Sequence, residues 1–408
     1  MKKKYIFLVI AILLSVGVYF LLFHKDKSLK YIPENADVVV LVDVKKATRQ
    51  YISSFLTHPS KWFEDSRKDK NKISLSESGL KIPDFLQIFH LKNTRFSEWY
   101  TIVEIEDQTK FSAFLKNRKF VTDGKNQFKN NQFFVKIDDG KCIVGTSDFY
   151  FKNIGKPLAH NFRNKVLNAD SFMGDGLGSV SFISELRTQN FSIDLKDDEI
   201  EIKNEQNSSD FSALISDLNK KTQFLNAELD SENIKKISSV SKENSAGSAS
   251  VNHLKMSANL AEVNDTIISY GYDDNFNEIE KLSYQKIVQP DYEILLESSN
   301  PNKTLEYFQR KKWVNAQNQF IAIPFQPNQV SSDNNQIAVK TTRKPVKLIE
   351  TKHQNYIFIK NDPLFFSLFK ILENQFSEDI DYLFYGNKNQ DYMVKIKFKK
   401  EKYPLILR

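Results

Sequence analysis

Two stretches of the sequence decide the fold: WYTIVEIEDQTKFSAFLKNRKFV at residues 99–121 and YEILLESSNPNKTLEYFQRKKWV at residues 292–314. They align without a gap, and each passes from an apolar run of strand length into apolar residues at helical spacing. In the first stretch the helical positions include Phe111, Phe114 and Leu115. The aligned pairs are Glu104 with Glu297, Lys110 with Lys303, Lys119 with Lys312, and Val121 with Val314. The match predicts a strand–helix unit that occurs twice.

A second pair of stretches favours the duplication of a larger region. Cys142–Asp148 is an apolar strand that leads into Phe149–Ile154, and Tyr356–Asp362 leads in the same way into Pro363–Leu372. Each strand ends in a polar residue followed by Asp, which can cap the next helix. Because both matches occur in the same order along the chain, we predict two related α+β lobes.

Short strands fill the region between the two matches. Apolar runs of strand length are separated there by turn residues, a pattern typical of antiparallel hairpins. The predicted strands are Ser179–Ile183, Phe191–Leu195, Glu199–Lys203, Val251–Leu260, Thr266–Tyr272 and Ile279–Ile287. The predicted fold class is therefore α+β: an N-terminal transmembrane helix followed by two related antiparallel-sheet lobes with short helices.

The first residues of the chain predict a membrane anchor. Residues 5–23 carry no charge and would form a helix of roughly 28 Å, close to the ~30 Å hydrocarbon thickness of a bilayer. A cleaved signal peptide is the alternative, but it has a shorter apolar core and a small-residue cleavage site. Cleavage at the candidate site Ser15–Gly17 would leave an apolar N-terminus. We therefore predict a retained helix and the lipid bilayer as a partner through residues 5–23.

The anchor determines the predicted topology and domain boundaries. A short N-terminal tail rich in lysine resists export, and abundant Lys and Asn favour a bacterial source. We predict a single-pass protein of the bacterial cytoplasmic (inner) membrane, with a cytoplasmic N-terminus and the bulk of the chain extracytoplasmic. The predicted segments are a cytoplasmic tail (1–4), a transmembrane helix (5–23), a juxtamembrane collar (24–31), a first α+β lobe with a β-hairpin extension (32–287) and a second α+β lobe (288–408).

The segment after the collar carries a resemblance to known sequences. Ile32–Asp43 reads IPENADVVVLVD, a Pro turn followed by a β-branched strand. This phrase resembles the start of the mature part in exported and lipoprotein-like bacterial families of unassigned function, whose chains continue as repeated α+β lobes. The resemblance implies an exported α+β protein and implies no catalytic residue. The chain departs from the lipoprotein members because it has no lipidation cysteine near the apolar run.

Charge and cysteine content exclude several classes of function. The net charge of +7 is modest for 408 residues, and lysines alternate with acids as on a solvated surface. The basic clusters Lys116–Lys119 and Lys395–Lys400 are therefore not assigned to nucleic acid; the second alternates with apolar residues, as a protected edge strand does. Cys142 is the only cysteine, so no intramolecular disulfide forms, and its apolar surroundings predict a buried, unreactive thiol.

No motif identifies a catalytic, cofactor-binding or metal-binding residue. Met173–Gly178 has alternating glycines, but it lacks the preceding strand and the Lys-Ser/Thr of a phosphate loop. Asp273–Glu278 has Glu where a calcium loop has glycine, and Tyr284 stands where the loop needs a bidentate acid. The six histidines lie too far apart in sequence to form a local metal-ligand pair. We assign no catalytic or metal-ligating residue and expect no cofactor.

These observations lead to two functional hypotheses. The first is a non-catalytic binding or scaffold protein of the bacterial envelope, which binds an unknown protein or polymer partner through open sheet faces or the groove between the lobes. The second is a hydrolase of envelope material whose carboxylate and histidine residues are assembled in space. The two differ in whether acids and a histidine converge in a water-accessible cleft.

Overall fold

The computed structural model describes residues 13, 15–63, 73–124, 126–131, 133–158, 167–184, 187–204, 209–240, 251–323, 328–350, 355–364 and 379–408. Within these residues the chain is α+β with mostly antiparallel sheet, so the predicted fold class is confirmed at this level. Contacts within the chain define two compact units. The first unit comprises residues 1–205 and 401–408, and the second comprises residues 206–400.

Among the described residues, the first unit contains a sheet, a separate pair of short strands, and three α-helices besides the helical residues 15–22. Its strands are β1 (Ser28–Leu29), β2 (Ala36–Asp43), β3 (Phe85–Leu91), β4 (Trp99–Glu104), β5 (Val121–Thr122), β6 (Gln127–Lys129), β7 (Phe134–Asp138), β8 (Lys141–Gly145), β9 (Leu167–Asn168), β10 (Gly178–Ile183), β11 (Thr188–Leu195) and β12 (Glu199–Asn204). Its helices are α1 (Val44–Thr57), α2 (Gln108–Asn117) and α3 (Phe151–Leu158), with 3₁₀ turns at Pro59–Phe63, Leu75–Glu77, Ala169–Ser171 and Leu405–Leu407.

Antiparallel pairing gives the sheet of the first unit the order β12-β11-β10-β2-β3-β4-β8-β7-β6-β5, with β1 and β9 paired separately. The β-branched strand β2 lies in the interior of this order, where its apolar side chains can be buried. Val39 and Leu41 are fully buried there. The predicted strands Ser179–Ile183, Phe191–Leu195 and Glu199–Lys203 correspond to β10, β11 and β12.

The second unit contains the remaining strands and helices. Its strands are β13 (Leu225–Asp230), β14 (Val251–Tyr272), β15 (Glu278–Ser298), β16 (Gln319–Phe320), β17 (Asn328–Asp333), β18 (Gln336–Lys340), β19 (Asn355–Lys360), β20 (Ile380–Lys388) and β21 (Asp391–Phe398). Its helices are α4 (Ser212–Asn219), α5 (Ser231–Val240) and α6 (Pro301–Arg310). Pairing gives the order β21-β20-β19-β13-β14-β15-β18-β17-β16.

The two units have the same strand order. When the first sheet is followed from β12 and the second from β21, nine successive strands correspond. The helices correspond as well, because α1 follows β2 as α5 follows β13, and α2 follows β4 as α6 follows β15. The tenth position, β5 in the first unit, has its counterpart in a single bridge between Val314 and Phe320. An antiparallel order with this many non-sequential neighbours is a specific arrangement, so the correspondence extends well beyond the strand–helix unit of the sequence match.

The matched strand–helix units also agree in their helix termini. Asp107 caps α2 by accepting hydrogen bonds from the amides of Thr109 and Lys110, and Asn300 caps α6 by accepting one from Lys303. At the other end, the aligned residues Lys119 and Lys312 both have the left-handed conformation, with φ of 61° and 58°. In each unit the following amide donates to a carbonyl five residues earlier, at 2.9 Å. These terminations follow the Schellman pattern.

The second sequence match pairs strands that are not equivalent. Cys142–Asp148 contains β8, whose counterpart in the other unit is β18, whereas Tyr356–Asp362 contains β19, the counterpart of β10. Residues 365–372 of the predicted helix Pro363–Leu372 lie outside the described residues. The match paired the wrong strands because a strand that ends in Asp before a helix is a local pattern. Such a pattern carries no information on which strands lie beside it in the sheet.

The division into units differs from the predicted boundary between residues 287 and 288. That position lies within β15, which pairs with β14 along their full lengths. The predicted strands Thr266–Tyr272 and Ile279–Ile287 are therefore the ends of two long strands rather than separate elements.

Only part of the predicted anchor lies within the described residues. Residues 15–22 are helical, and residues 5–12 and 14 lie outside the described part. None of the helices in the described residues combines the length and the apolar character needed to cross a bilayer. In the collar, Ser28 and Leu29 pair with Asn168 and Leu167, which ties residues 24–31 to the first unit.

Candidate interaction surface

Strands β14 and β15 extend beyond the sheet of the second unit. β13 pairs with β14 from His253 to Ala258, and β18 pairs with β15 from Glu293 to Glu297. Beyond these pairings, β14 and β15 pair with each other from Ala261↔Gln289 to Tyr272↔Glu278, over roughly 37 Å at about 3.4 Å per residue. We call residues 261–289 the arm. Among the described residues, no third strand pairs with the arm.

The turn at the tip of the arm is held by one aspartate. The Asp273 carboxylate accepts hydrogen bonds from the amides of Asn275 and Asn277 at 2.8 Å and from the Asn277 side chain at 3.0 Å. These hydrogen bonds hold the pKa of the Asp273 carboxyl below its usual value. Phe276 has φ of 60° and its ring is 86% exposed. Asp273–Glu278 is therefore a hairpin turn in which the Asp273 carboxylate accepts hydrogen bonds from the turn itself.

One face of the arm is aromatic and aliphatic. Side chains alternate along each strand, so directly paired residues share a face. Toward the tip, the pairs on this face are Thr266↔Tyr284, Ile268↔Leu282, Tyr270↔Glu280 and Tyr272↔Glu278, and toward the base the face continues with Asn264↔Lys286 and Glu262↔Val288. Tyr270 and Tyr272 are each 69% exposed and Tyr284 is 72% exposed. We call this surface the tyrosine face.

The opposite face of the arm carries no aromatic side chain. Gln285 donates to Asp265 across the strands at 3.0 Å, and Ser269 lies opposite Lys281. Its aliphatic side chains, Val263 and Ile267 among them, are smaller than the tyrosines and alternate with these polar pairs. The two faces thus differ in chemistry although they belong to the same two strands.

The arm is acidic although the whole chain is basic. It contains six acidic residues and two lysines, against a net charge of +7 for the chain. The acids are Glu262, Asp265, Asp273, Asp274, Glu278 and Glu280. Lys286 pairs with Glu262 at 2.5 Å, which raises the pKa of the lysine. Glu278 and Glu280 lie beside the tyrosines on the tyrosine face.

An exposed ribbon of this kind is energetically unusual for a protein without a partner. A two-stranded ribbon is marginally stable alone in water, and exposed apolar side chains that are rimmed by polar residues mark interaction sites. Tyrosine is enriched at protein interfaces because its ring supplies contact area while its hydroxyl stays hydrogen-bonded. The arm is therefore the best candidate for an interaction surface in the described residues.

The second unit also brings a histidine to two carboxylates. His253 Nε2 lies 3.1 Å from Glu228 Oε1, and His253 Nδ1 lies 3.8 Å from Glu297 Oε1. The Lys255 ammonium is 3.5 Å from the same Glu228 oxygen. Glu228 is 1% exposed, so its carboxylate is not presented to solvent. A buried carboxylate held between an imidazole and an ammonium group is satisfied where it is and does not form the open cleft that hydrolysis requires.

The first unit contains a second histidine cluster, in which a carboxylate, an imidazole and a hydroxyl are adjacent as they are in a catalytic triad. His90 Nδ1 lies 2.6 Å from Asp37 Oδ1, and His90 Nε2 lies 2.9 Å from Thr94 Oγ1. However, the Thr94 hydroxyl donates to the Leu91 carbonyl at 2.8 Å, and His90 Nε2 is also 3.0 Å from the Arg95 carbonyl. The hydroxyl proton is thus used by the backbone, and Thr94 is buried. This arrangement supports the turn between β3 and β4 and offers no activated nucleophile.

We predict that the histidine of this cluster contributes more to stability than the hydroxyl. His90→Ala is expected to lower the free energy of unfolding by about 2–4 kcal/mol, because it leaves a cavity in place of a buried imidazole and removes the hydrogen bonds that the imidazole makes. Thr94→Val removes a single hydrogen-bonded hydroxyl and is expected to cost about 1 kcal/mol. Urea titration of the full chain measures both values. Equal, small losses for the two variants would contradict the structural role.

The described residues also form a cavity of about 220 Å³ in the first unit. At its wall the Glu104 carboxylate accepts hydrogen bonds from Tyr31 and, at 2.7 Å, from Lys81. These donors hold the pKa of Glu104 below its usual value, and burial raises the pKa of Tyr31. The carboxylate is therefore ionised and already engaged by the protein, which makes it a poor general base.

The remaining candidates from the sequence contribute no site in the described residues. Cys142 is fully buried in β8, and burial raises the pKa of its thiol to about 12. In Met173–Gly178, residues 174–177 form a bend and Gly178 is the first residue of β10. No group of three or more His, Cys, Asp or Glu residues in the described part of the chain could hold a metal ion. The sequence reasoning missed the arm, although Tyr270, Tyr272 and Tyr284 follow a strand-like alternation that places them on one face of a hairpin.

The arm cannot be interpreted through relatives. No known protein family, curated protein or solved structure matches this chain. Its function must therefore be inferred from the geometry above.

Proposed function

We propose that this chain is a membrane-anchored, extracytoplasmic binding protein of the bacterial envelope and that the arm binds its partner. The observation that carries the proposal is the exposed tyrosine face, with its three tyrosines at 69–72% exposure. The two histidine clusters do not favour the alternative, an envelope hydrolase, because their polar atoms are engaged in support of the fold. We therefore regard the role as non-catalytic.

The partner that best fits the arm is a protein with a basic, apolar-lined cleft. Glu278 and Glu280 beside the tyrosines favour Lys or Arg on the partner, and complementary charge guides association and selects the partner. Tyrosines in the centre of an interface supply most of the binding energy when a cleft excludes water from them. An envelope polymer and a second copy of the chain are the other occupants that the experiments below distinguish.

The anchor proposal rests on residues 5–23. What supports it is the absence of charge over a length that matches a bilayer and the lysine-rich tail before it. We propose one crossing of the bacterial cytoplasmic membrane, with the N-terminus cytoplasmic and the two units outside. The anchor would tether the chain to the membrane and keep it in the envelope, where its partner would be found.

We further propose that the two units are related lobes that arose by duplication. The shared strand order, the aligned caps at Asp107 and Asn300, and the left-handed Lys119 and Lys312 support this relation. Under this proposal the arm is an elaboration of one lobe: β3 in the first unit ends at Leu91, whereas its counterpart β14 continues to Tyr272. An extension present in one of two related lobes is a place for a specialised function.

The binding role predicts cross-linking from one face of the arm. A photoreactive amino acid at Tyr272, on the tyrosine face, is expected to form an adduct with a protein when the full chain is in its own membrane. The same group at Ser269, on the opposite face, is the matched control and should form little adduct. Mass spectrometry of the adduct identifies the occupant. Equal cross-linking from both positions, or an adduct with polymer alone, would contradict a protein partner.

The anchor and its orientation predict the location of the C-terminus. A reporter enzyme that is active only outside the cytoplasm is expected to be active when fused after Arg408. A reporter that is active only in the cytoplasm serves as the control fusion and should be silent. The reverse pattern would overturn the proposed orientation.

A further inference from the structure

Helix α1 and the turn after it expose an apolar surface in the first unit. No residue of α1 is buried, although the helix contacts β2, β3 and the 3₁₀ turn Leu405–Leu407. Its exposed large apolar residues, with those of the turn Pro59–Phe63, are Tyr51 (40% exposed), Ile52 (38%), Leu56 (61%), Trp62 (44%) and Phe63 (78%). We call these five residues, together with Phe55, the α1 patch.

The α1 patch is ordered by contacts among its own members. The rings of Tyr51 and Phe55 stack with centroids 6.0 Å apart, and the rings of Phe55 and Trp62 are also 6.0 Å apart. The Trp62 indole N–H donates to the Phe55 carbonyl at 2.7 Å. The indole polar group is therefore satisfied while its ring remains exposed, a combination typical of aromatic residues at a membrane–water interface.

The same helix holds the end of the apolar N-terminal segment. The Lys45 ammonium donates to the carbonyls of Phe20, at 3.3 Å, and His24, and the Arg49 guanidinium donates to the Leu22 carbonyl. The Phe20 and Leu22 carbonyls belong to the C-terminal end of the helical residues 15–22, where cations are favoured by the helix dipole, and the His24 carbonyl lies two residues beyond this end.

A ring contact strengthens this attachment. The Arg49 guanidinium lies 4.8 Å from the centre of the Phe23 ring, at the last residue of the uncharged run. Leu56 follows Arg49 by seven residues, which is about 10 Å along a helix. The α1 patch begins at Tyr51, two residues after Arg49, so it starts beside the point where the uncharged run is attached to α1.

We propose that the α1 patch lies at the boundary between the headgroups and the acyl chains of the membrane, beside the anchor, with its rings reaching the upper acyl region. This inference rests on the proposed anchor at residues 5–23, and it goes further by assigning a lipid surface as the occupant of an exposed face of the folded unit. The continuity between the uncharged run, its attachment to α1 and the Trp/Tyr/Phe composition of the patch favours lipid over a protein partner. The first unit would then be oriented by two contacts with the bilayer instead of one.

The test uses the full chain in lipid nanodiscs and the fluorescence of Trp62. Phosphatidylcholine with brominated acyl chains quenches indoles that reach the upper acyl region. The contribution of Trp62 is the difference between the unmodified chain and Trp62→Phe, and we expect brominated lipid to reduce this contribution by at least half. Trp313→Phe is the matched control, because Trp313 packs against Tyr307 and Phe308 in the second unit; the quenched fraction should persist in this variant.

The outcomes separate the patch from the anchor. If the chain is recovered in nanodiscs and the Trp62 contribution is unchanged by brominated lipid, the α1 patch does not contact the bilayer and the inference is overturned while the anchor stands. If the chain is not recovered in nanodiscs at all, the anchor fails and the inference fails with it. Quenching of Trp62 together with recovery in nanodiscs supports both.

Discussion

Replacement of Tyr270, Tyr272 and Tyr284 by serine is expected to weaken partner binding by at least ~100-fold, or about 2.8 kcal/mol. The three rings are exposed in the free protein, so their loss leaves no cavity and the folded units should remain intact. In the complex they would lie in a cleft from which water is excluded, where truncation of an aromatic residue has its largest effect. The affinity is measured with the partner identified by cross-linking and the full chain in detergent.

A matched triple variant separates the chemistry of the face from the stability of the arm. Val263, Ile267 and Ile279 lie on the opposite face, and their replacement by serine removes similar β-propensity from the same two strands. This control is expected to change the affinity by less than ~3-fold. If both triple variants lose binding equally, the tyrosine face has no special role and the arm acts only as a folded support.

The Arg343→Ala variant is expected to lower the free energy of unfolding by about 3–5 kcal/mol. Arg343 donates two hydrogen bonds to Asp291, from Nε to Oδ1 at 3.2 Å and from Nη2 to Oδ2 at 2.6 Å. Asp291 is 1% exposed and lies at the base of the arm, two residues beyond Gln289. Without the guanidinium the carboxylate would be left buried and uncompensated. Urea titration of the full chain gives the loss, and amide hydrogen exchange reports whether the arm opens first.

Two further variants test the cause of this loss. Lys340→Ala removes an ion pair with Glu293 at 2.8 Å, but Lys340 is 53% exposed, so a loss below about 1 kcal/mol is expected. Combining Asp291→Asn with Arg343→Ala removes the buried charge and should recover part of the lost stability. A loss for Arg343→Ala no larger than that for Lys340→Ala would mean that this pair does not stabilise the base of the arm.

Local features of the fold could be predicted from the sequence. The strand–helix units at residues 99–121 and 292–314 were recognisable because strand propensity, N-caps and helical spacing are properties of neighbouring residues. The same holds for β10, β11 and β12, whose apolar runs are bounded by turn residues. The second match failed as evidence of repetition because it compared two strands that end alike and lie beside different neighbours.

The candidate site was only partly predictable. The strands of the arm were expected, and the alternation of Tyr270 and Tyr272 was visible, but nothing local shows that β14 and β15 continue together beyond their last neighbour in the sheet. Exposure depends on which strands lie alongside, and these strands come from distant parts of the chain. The histidine clusters also depend on distant parts of the chain, since His90 and Asp37 are 53 residues apart.

The sequence by itself determined the fold class, the strand–helix unit that occurs twice, and the uncharged run at residues 5–23, because each depends on the order of neighbouring side chains. Only the tertiary structure decided the strand order common to both units, the division at residue 205 instead of 287, and the projection of the arm. These depend on hydrogen bonds between backbones that are far apart in the chain, and any two strands can form such bonds. Which strands pair is decided by the burial of whole sheet faces, and this burial cannot be predicted from the order of neighbouring residues.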